Sequence, residues 1–375
     1  MNSDKHYTAE TAFGSFELHR YPQRPRELLQ AWNSADLLLL EYAASLAISA
    51  DKVLVVNDDY GALSIPLHGS SVWTDSQLAI EAITRNADRL QLGMPAIIPA
   101  SQVPPANFEL VLLRIPKQLS LLRYQLDVLR EQLPSGTIIV CAGMDKHLPR
   151  SIADTIAASV GSTTRHRGQH KARLFSTLLD KSCESAGADY RQFYCEQLDG
   201  NVETLPNVFS GEQLDIGSRL LLEQFPALPN ADCVVDLGCG CGVLGLAAMA
   251  HYPQAQVHFL DESDLAVENA RHNVQRLFPQ RLHNTGFLRA DGLRGYQAQA
   301  PDLVLCNPPF HQRHVVDDYS GRRLLKQAAR ALAPGGELWL VANRHLPYSK
   351  TLHSAFAQVE QQAINSKFIV WRAKQ

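Results

Sequence analysis

The chain has 375 residues, 45% of them hydrophobic and 19% charged. That composition excludes a disordered chain and leaves room for two domains of ordinary size. A net charge of -3 excludes a globally basic nucleic-acid binder, so any polyanion site has to be a local patch.

In chain order, the opening M-N-S-D-K-H-Y-T carries no apolar signal core, and no apolar run reaches the ~18 residues that span a bilayer. Cytoplasm is therefore the expected compartment. The readable segments of the first half are L-A-I-E-A-I-T-R-N (78–86), F-E-L-V-L-L-R-I-P-K (108–117), L-P-S-G-T-I-I-V-C-A (133–142) and a closing strand, K-A-R-L-F (171–175). Residues 180–189, polar and glycine-bearing, read as a linker. The expected organisation is a first domain over 1–180, a linker over 181–189 and a second domain over 190–375. Beyond the linker, Y-R-Q-F-Y-C-E-Q-L (190–198) and V-E-T-L (202–205) flank Asp199-Gly200. Asp-Gly accepts the positive φ of a tight turn, so a hairpin is expected. Next come strand C-V-V-D-L (233–237), a glycine loop, helix 243–250, strand V-H-F-L-D (257–261) and helix 263–277. Strand L-V-L-C-N (303–307), helix 320–333, strand E-L-W-L-V-A (337–342) and an antiparallel strand K-F-I-V-W-R-A (367–373) complete the chain. Alternating strand and helix means a parallel sheet covered on both faces.

The chain is written twice. L-A-I-E-A-I-T-R-N (78–86) parallels L-A-V-E-N-A-R-H-N (265–273), with Asp75 and Asp261 shortly before each. F-E-L-V-L-L-R-I-P-K parallels P-D-L-V-L-C-N-P-P-F (301–310), and 133–142 parallels L-A-P-G-G-E-L-W-L-V-A (332–342). Three matches in one order predict two copies of a single α/β domain. The seven cysteines include no C-x-x-C pair, and Cys239 and Cys241 have no second ligand pair nearby. Reduced thiols and no metal site are expected.

The chemistry-bearing residues crowd into the second copy. V-V-D-L-G-C-G-C-G-V-L-G (234–245) follows a strand and opens a helix. Gly238, Gly240 and Gly242 let the backbone turn tightly and approach a ligand without Cβ contacts. A helix amino end there offers unpaired N–H groups. Asp236 lies near the end of the strand, positioned for an amine or ammonium. Asp261 ends the next strand, where a carboxylate takes ribose hydroxyls. Asp291, after a further strand, is placed near an adenine, whereas Asp264 reads as a helix cap. No Gly-Lys-Ser/Thr of a phosphate loop is present. Finally Asn307-Pro308-Pro309-Phe310 ends a buried strand with residues that cannot continue a sheet ladder.

Together these residues resemble the S-adenosylmethionine methyltransferases that modify planar amino groups. The resemblance implies that Asn307, Pro308, Pro309 and Phe310 bind the target nitrogen. The Asn307 side-chain oxygen and the Pro308 carbonyl would accept its two N–H bonds near the methyl donor, and Phe310 would stack on the base. An exocyclic amine shares its lone pair with the ring and gains from such help. N-V-F-S (207–210), L-D-I-G (214–217), V-D-L-G-C-G (235–240), N-P-P-F-H (307–311) and V-A-N-R-H-L-P-Y (341–348) narrow the resemblance further. They are similar to the bacterial ribosomal-RNA guanine-N2 methyltransferases, whose two tandem Rossmann-like halves include a degenerate first one. F-H-Q-R-H (310–314) favours the large-subunit member, which implies methylation of guanine 1835 of 23S rRNA; the small-subunit, 16S enzyme is the alternative. Cys241 departs from the pattern, since relatives often carry Asn there. Other readings are adenine-N6 or glutamine methylation and, from another class, a non-catalytic rRNA-binding assembly factor.

A guanine amine inside stacked RNA is unreachable, so a basic path to the pocket is expected. Between Thr155 and Leu179 there is no acidic residue, while Arg165, Arg167, Lys171 and Arg173 all occur. Arg344 and His345 follow the strand beside Asn307, and His311 and His314 follow the proline pair. In the first copy, Asn57-Asp58-Asp59-Tyr60-Gly61 stands where the second has Gly238 to Gly242, and Arg114-Ile115-Pro116-Lys117 replaces Asn307 to Phe310. Arg114 has donors only and cannot accept from an amine. The first domain is thus expected to bind no cofactor and to dock RNA, with Arg114 and Lys117 on the old substrate edge.

Overall fold

The computed structural model describes residues 6–24, 27–184, 191–206, 208, 213–308 and 318–375. The chain divides into two compact units, Met1–Asp189 and Tyr190–Gln375.

The first unit opens with a hairpin, β1 (Thr8–Thr11) and β2 (Gly14–Glu17), then α1 (Ser34–Ala44), β3 (Val53–Val56), β4 (Ser71–Thr74), α2 (Gln77–Arg89) and β5 (Ala96–Pro99). It continues through β6 (Leu110–Arg114), α3 (Leu119–Gln132), β7 (Ile138–Met144), α4 (Ile152–Val160), β8 (Thr163–Arg165) and β9 (Ala172–Leu178). The second unit opens with β10 (Arg191–Cys195) and β11 (Gly200–Thr204), then α5 (Ile216–Leu222), β12 (Cys233–Leu237), α6 (Val243–His251), β13 (Gln256–Asp261) and α7 (Asp264–Leu277). β14 (Thr285–Arg289), β15 (Leu303–Cys306), α8 (Asp318–Ala331), β16 (Glu337–Asn343), α9 (Tyr348–Ala355), β17 (Gln358–Ile364) and β18 (Phe368–Lys374) follow.

Each unit holds one seven-stranded sheet, and the two orders correspond strand for strand: β5-β4-β3-β6-β7-β9-β8 and β14-β13-β12-β15-β16-β18-β17. The central strands are parallel, and β9 and β18 return antiparallel. β3 and β12 are buried at every position, as strands covered on both faces must be. Large side chains such as Trp73, Phe175, Phe259 and Trp339 are fully buried between the layers. Each such side chain contributes about 1.5–3 kcal/mol of hydrophobic stabilisation.

The copies also share hydrogen bonds. Asn86 and Asn273, the last residues of the matched nine-residue strings, are both buried. The Asn86 Nδ2 donates to the Tyr60 carbonyl and holds His19, just after the β1–β2 hairpin. The Asn273 Nδ2 donates to the Cys241 carbonyl and holds Glu203 of the β10–β11 hairpin. Each copy thus carries an amino-terminal hairpin pinned to its loop by one helical asparagine. The hairpin at Asp199-Gly200 forms as expected, with Asp199 left-handed at φ 44°. The β1–β2 hairpin and β17 go beyond the sequence reading. β17 is an edge strand with no fully buried position, so its hydrophobic alternation is faint.

Candidate functional site

The site is built at the carboxyl ends of β12, β13 and β15, where an open α/β sheet binds ligands. Between β12 and α6 the chain turns through Gly238 (φ +74°), Gly240 (φ +53°) and Gly242 (φ +86°), conformations disfavoured for side-chain-bearing residues. A Cβ on Gly238 would meet nothing closer than the Asn307 carbonyl oxygen at 4.0 Å, so an open cradle lies there. Gly245 serves a different need. A Cβ on it would stand 2.3 Å from the Phe259 ring, so glycine lets α6 press onto β13.

Asp236 is 1% exposed. Its Oδ2 accepts from the Gly245 N–H at 2.8 Å, while its Oδ1 is buried without a partner. Burial pushes its carboxyl up to about 8, helped by the charge of Asp261 and opposed by the Gly245 hydrogen bond. A buried, half-satisfied carboxyl at a glycine cradle is a ready partner for an ammonium group. Asp261 accepts from the Gly240 N–H at 3.0 Å through Oδ2 and from the Ser263 N–H at 3.0 Å through Oδ1. Burial raises its carboxyl too. Each of its oxygens keeps acceptor capacity for a hydroxyl. The donor set therefore fits S-adenosylmethionine: Asp236 for the ammonium, the glycine turn for the backbone of the methionine part, Asp261 for the ribose.

Asp291 is buried and bound by both ends of the Arg323 guanidinium from α8. This ion pair ties α8 to the end of β14, a task that the sequence, in which Asp291 is expected near an adenine, does not announce. For Asp264 the cap reading is corrected: Ser263 caps α7, and Asp264 occupies the first helical position, paired with Arg289 at 3.3 Å.

Asn307 ends β15. Its Nδ2 donates to Asp215 Oδ2 at 2.9 Å and to Ser218 Oγ at 2.8 Å, and its Oδ1 is buried without a partner. Asp215 caps α5 by accepting from the Ser218 N–H. Pro308 is buried beside it. Pro309, Phe310, His311 and His314 lie outside the described residues. Asp215, Ser218, Gly245 and Arg323 were not singled out from the sequence. L-D-I-G signals a helix start at Asp215, but nothing local announces a contact with Asn307. Cys239, Cys241 and Cys306 line this region as buried thiols, and burial raises all three. All seven cysteines are free, and no cluster of metal-ligating side chains occurs among the described residues.

The first copy keeps the loop geometry and fills the turn with a side chain of its own. Asn57 sits at φ 62° and Gly61 at φ +85°, matching Gly238 and Gly242. Val55 stands where Asp236 would be. Asp58 replaces it from the loop: its carboxylate accepts from the N–H groups of Tyr60, Gly61, Ala62, Leu63 and Ser64 at 2.8–3.4 Å and from Ser64 Oγ. The chain's own anion fills this amide nest. Arg114, at the Asn307 position, is ion-paired with buried Asp36 near the start of α1, so its charge is neutralised inside the fold. That corrects its expected place at an RNA edge. Lys117 is exposed.

Arg165, Arg167 and Lys171 are exposed around the β8–β9 turn, at the carboxyl end of β7. Arg173 is half-buried and paired with Asp145 at 2.9 Å. In the second copy, Arg344 and His345 are exposed just after β16, on the same sheet edge as Asn307. The Arg344 guanidinium donates to the Asn365 carbonyl at 3.3 Å, in the β17–β18 turn.

Comparison with known proteins agrees with this layout. Residues 199–372 match the family described as methyltransferase small domain, and residues 6–181 match the RLMG N-terminal domain. The ribosomal RNA large subunit methyltransferase G of Ectopseudomonas mendocina is 40% identical over 97% of this chain and 98% of its own length. That of Alcanivorax borkumensis is 40% identical over 96% of this chain and 95% of its own. Among solved structures, the T. thermophilus 16S rRNA N2 G1207 methyltransferase, in complex with AdoMet and guanosine, aligns with a TM-score of 0.76. It is 20% identical and the alignment covers 99% of each chain, a likeness that shows the fold.

Proposed function

The chain belongs to the ribosomal RNA large subunit methyltransferase G family, and from that premise we propose that it methylates the exocyclic N2 of guanine 1835 in 23S rRNA. It is an S-adenosylmethionine-dependent rRNA methyltransferase of two tandem α/β domains. The observation that carries the reading is the pair of buried, partnerless oxygens, Asp236 Oδ1 and Asn307 Oδ1, at the carboxyl ends of the adjacent strands β12 and β15. The cofactor supplies an electrophilic methyl group on a sulfonium. Asp236 and Asp261 hold its ammonium and ribose. Asn307 Oδ1 and the Pro308 carbonyl accept from the target amine and favour a pyramidal nitrogen as the new bond forms. The surplus proton leaves the nitrogen for water, so no strong base is required of the chain.

The first domain, residues 1–180, serves in this reading as a docking platform that binds no cofactor. What supports it is the carboxylate of Asp58 in the nest and the exposed cations Arg165, Arg167 and Lys171, suited to phosphates. Arg344 and His345 face RNA from the catalytic domain. Among the described residues no helix is long and apolar enough to cross a membrane, and cytoplasm is the proposed compartment. The test is methyl transfer from labelled cofactor to unmodified 23S and 16S rRNA, followed by nucleoside analysis and mass mapping. N2-methylguanosine at position 1835 of 23S rRNA is expected. Label in 16S rRNA would give the site to the small-subunit reading, and N6-methyladenosine would overturn the choice of base. Failure to bind the cofactor by calorimetry would favour a non-catalytic assembly factor.

A further inference from the structure

We propose that Asp215 and Ser218 are positioning residues that lock the Asn307 amide with its oxygen as the one acceptor offered to the substrate. The proposal rests on the reading that Asn307 receives the guanine amine. An asparagine side chain carries one acceptor and one double donor, and half a turn exchanges them. Here both N–H bonds are taken, by Asp215 Oδ2 at 2.9 Å and by Ser218 Oγ at 2.8 Å. Asp215 is a carboxylate and accepts only. A flipped amide would set its oxygen against that carboxylate with no proton between them. The clamp therefore decides which end of the amide is left over, and the buried, partnerless Oδ1 is that end.

The consequence is chemical selection. Guanine presents a donor at N2 and an acceptor at O6 on the same edge, on either side of N1–H. A fixed acceptor at 307 welcomes the amine and repels the carbonyl; a freely flipping amide would welcome either. Gly217 supports the clamp. A Cβ there would lie 2.9 Å from Asp215 Oδ2, so glycine leaves the carboxylate room to reach across.

The first copy supplies an internal comparison. Asn33 caps α1 where Asp215 caps α5, and Asp36 stands three residues on, as Ser218 does. Arg114, at the Asn307 position, is bound to Asp36. The link from helix start to strand end thus persists in the copy without an amine site, but there it holds a side chain with no acceptor at all.

The test uses full-length protein in single-turnover methyl transfer, enzyme in excess over unmodified 23S rRNA. The variants are Asp215→Ser, Ser218→Ala, Asn307→Ala and the Asp215→Ser/Asn307→Ala double. Serine keeps an N-cap oxygen for α5. Cofactor Kd by calorimetry and the thermal midpoint are followed in parallel. Asp215→Ser is expected to slow transfer by about tenfold or more, with cofactor affinity and midpoint kept. In the Asn307→Ala background it should cost nothing further, because Asp215 acts only through Asn307. An undiminished rate in Asp215→Ser, or losses that multiply in the double variant, would overturn the clamp. Normal turnover in Asn307→Ala is a distinct outcome: it removes the amine-acceptor reading itself, and the clamp with it.

Discussion

Replacing Asp58 by alanine should destabilise the first domain severely while leaving the second domain's chemistry alone. The residue is 1% exposed, and its carboxylate accepts from five backbone N–H groups at 2.8–3.4 Å and from the Ser64 hydroxyl at 2.8 Å. Each buried donor left without a partner costs about 1–3 kcal/mol. The costs do not add fully, because water enters the emptied nest and several N–H groups shared one oxygen. A loss of about 3–5 kcal/mol follows, the range for breaking a buried charged network. Urea unfolding of the full chain reads the loss. Hydrogen exchange at residues 61–64 locates it. The emptied nest should also take a small carboxylate, so formate is expected to restore part of the protection. Cofactor affinity should not change, since Asp236 and Asp261 belong to the other domain. A destabilisation below about 1 kcal/mol, the scale of an exposed ion pair, would refute the view that this carboxylate replaces a ligand in the nest.

Asn307→Ala is expected to lower turnover by about 100-fold with cofactor affinity intact, whereas Asp261→Ala weakens cofactor binding first; calorimetry beside single-turnover rates separates the two. Asp236, raised to about 8 by burial, is largely protonated at neutral pH in the cofactor-free protein. An ammonium requires its carboxylate form, so affinity should rise with pH by up to about tenfold per unit until pH 8, with proton release on binding; calorimetry in buffers of different ionisation enthalpy checks this. The same raised acid binds more protons folded than unfolded, so its contribution to stability falls as pH climbs from the ordinary carboxylate range to about 8. Reversing the charges of Arg165, Arg167 and Lys171 together should weaken 23S rRNA binding and flatten its salt dependence by about one unit of slope per lost contact. Unaltered affinity in filter binding would remove the hairpin from the RNA path. Arg114 is unsuited to that experiment, because its substitution strands the buried Asp36.

Much of the fold was legible because it rests on local rules. Apolar strands, glycine turns and helix periodicity recur twice in one order, and those patterns survive even where function has gone. The catalytic candidates were legible for a similar reason: Asp236, Asp261 and Asn307 each lie at or beside a strand's carboxyl end, and strand ends in a parallel sheet gather at one edge. What the tertiary structure alone decided is which side chains meet there. Asp215 and Asn307 are 92 residues apart, and Arg114 and Asp36 are 78 apart. Their contacts depend on which helix starts beside which strand end, a matter of sheet order rather than of neighbouring residues. Asp58 shows the limit from the other side. Its charge at a helix-like amide nest could be read from the sequence as hostile to a carboxylate ligand. Only the folded loop shows that the side chain turns inward and occupies the nest, because only there do five N–H groups converge on one carboxylate.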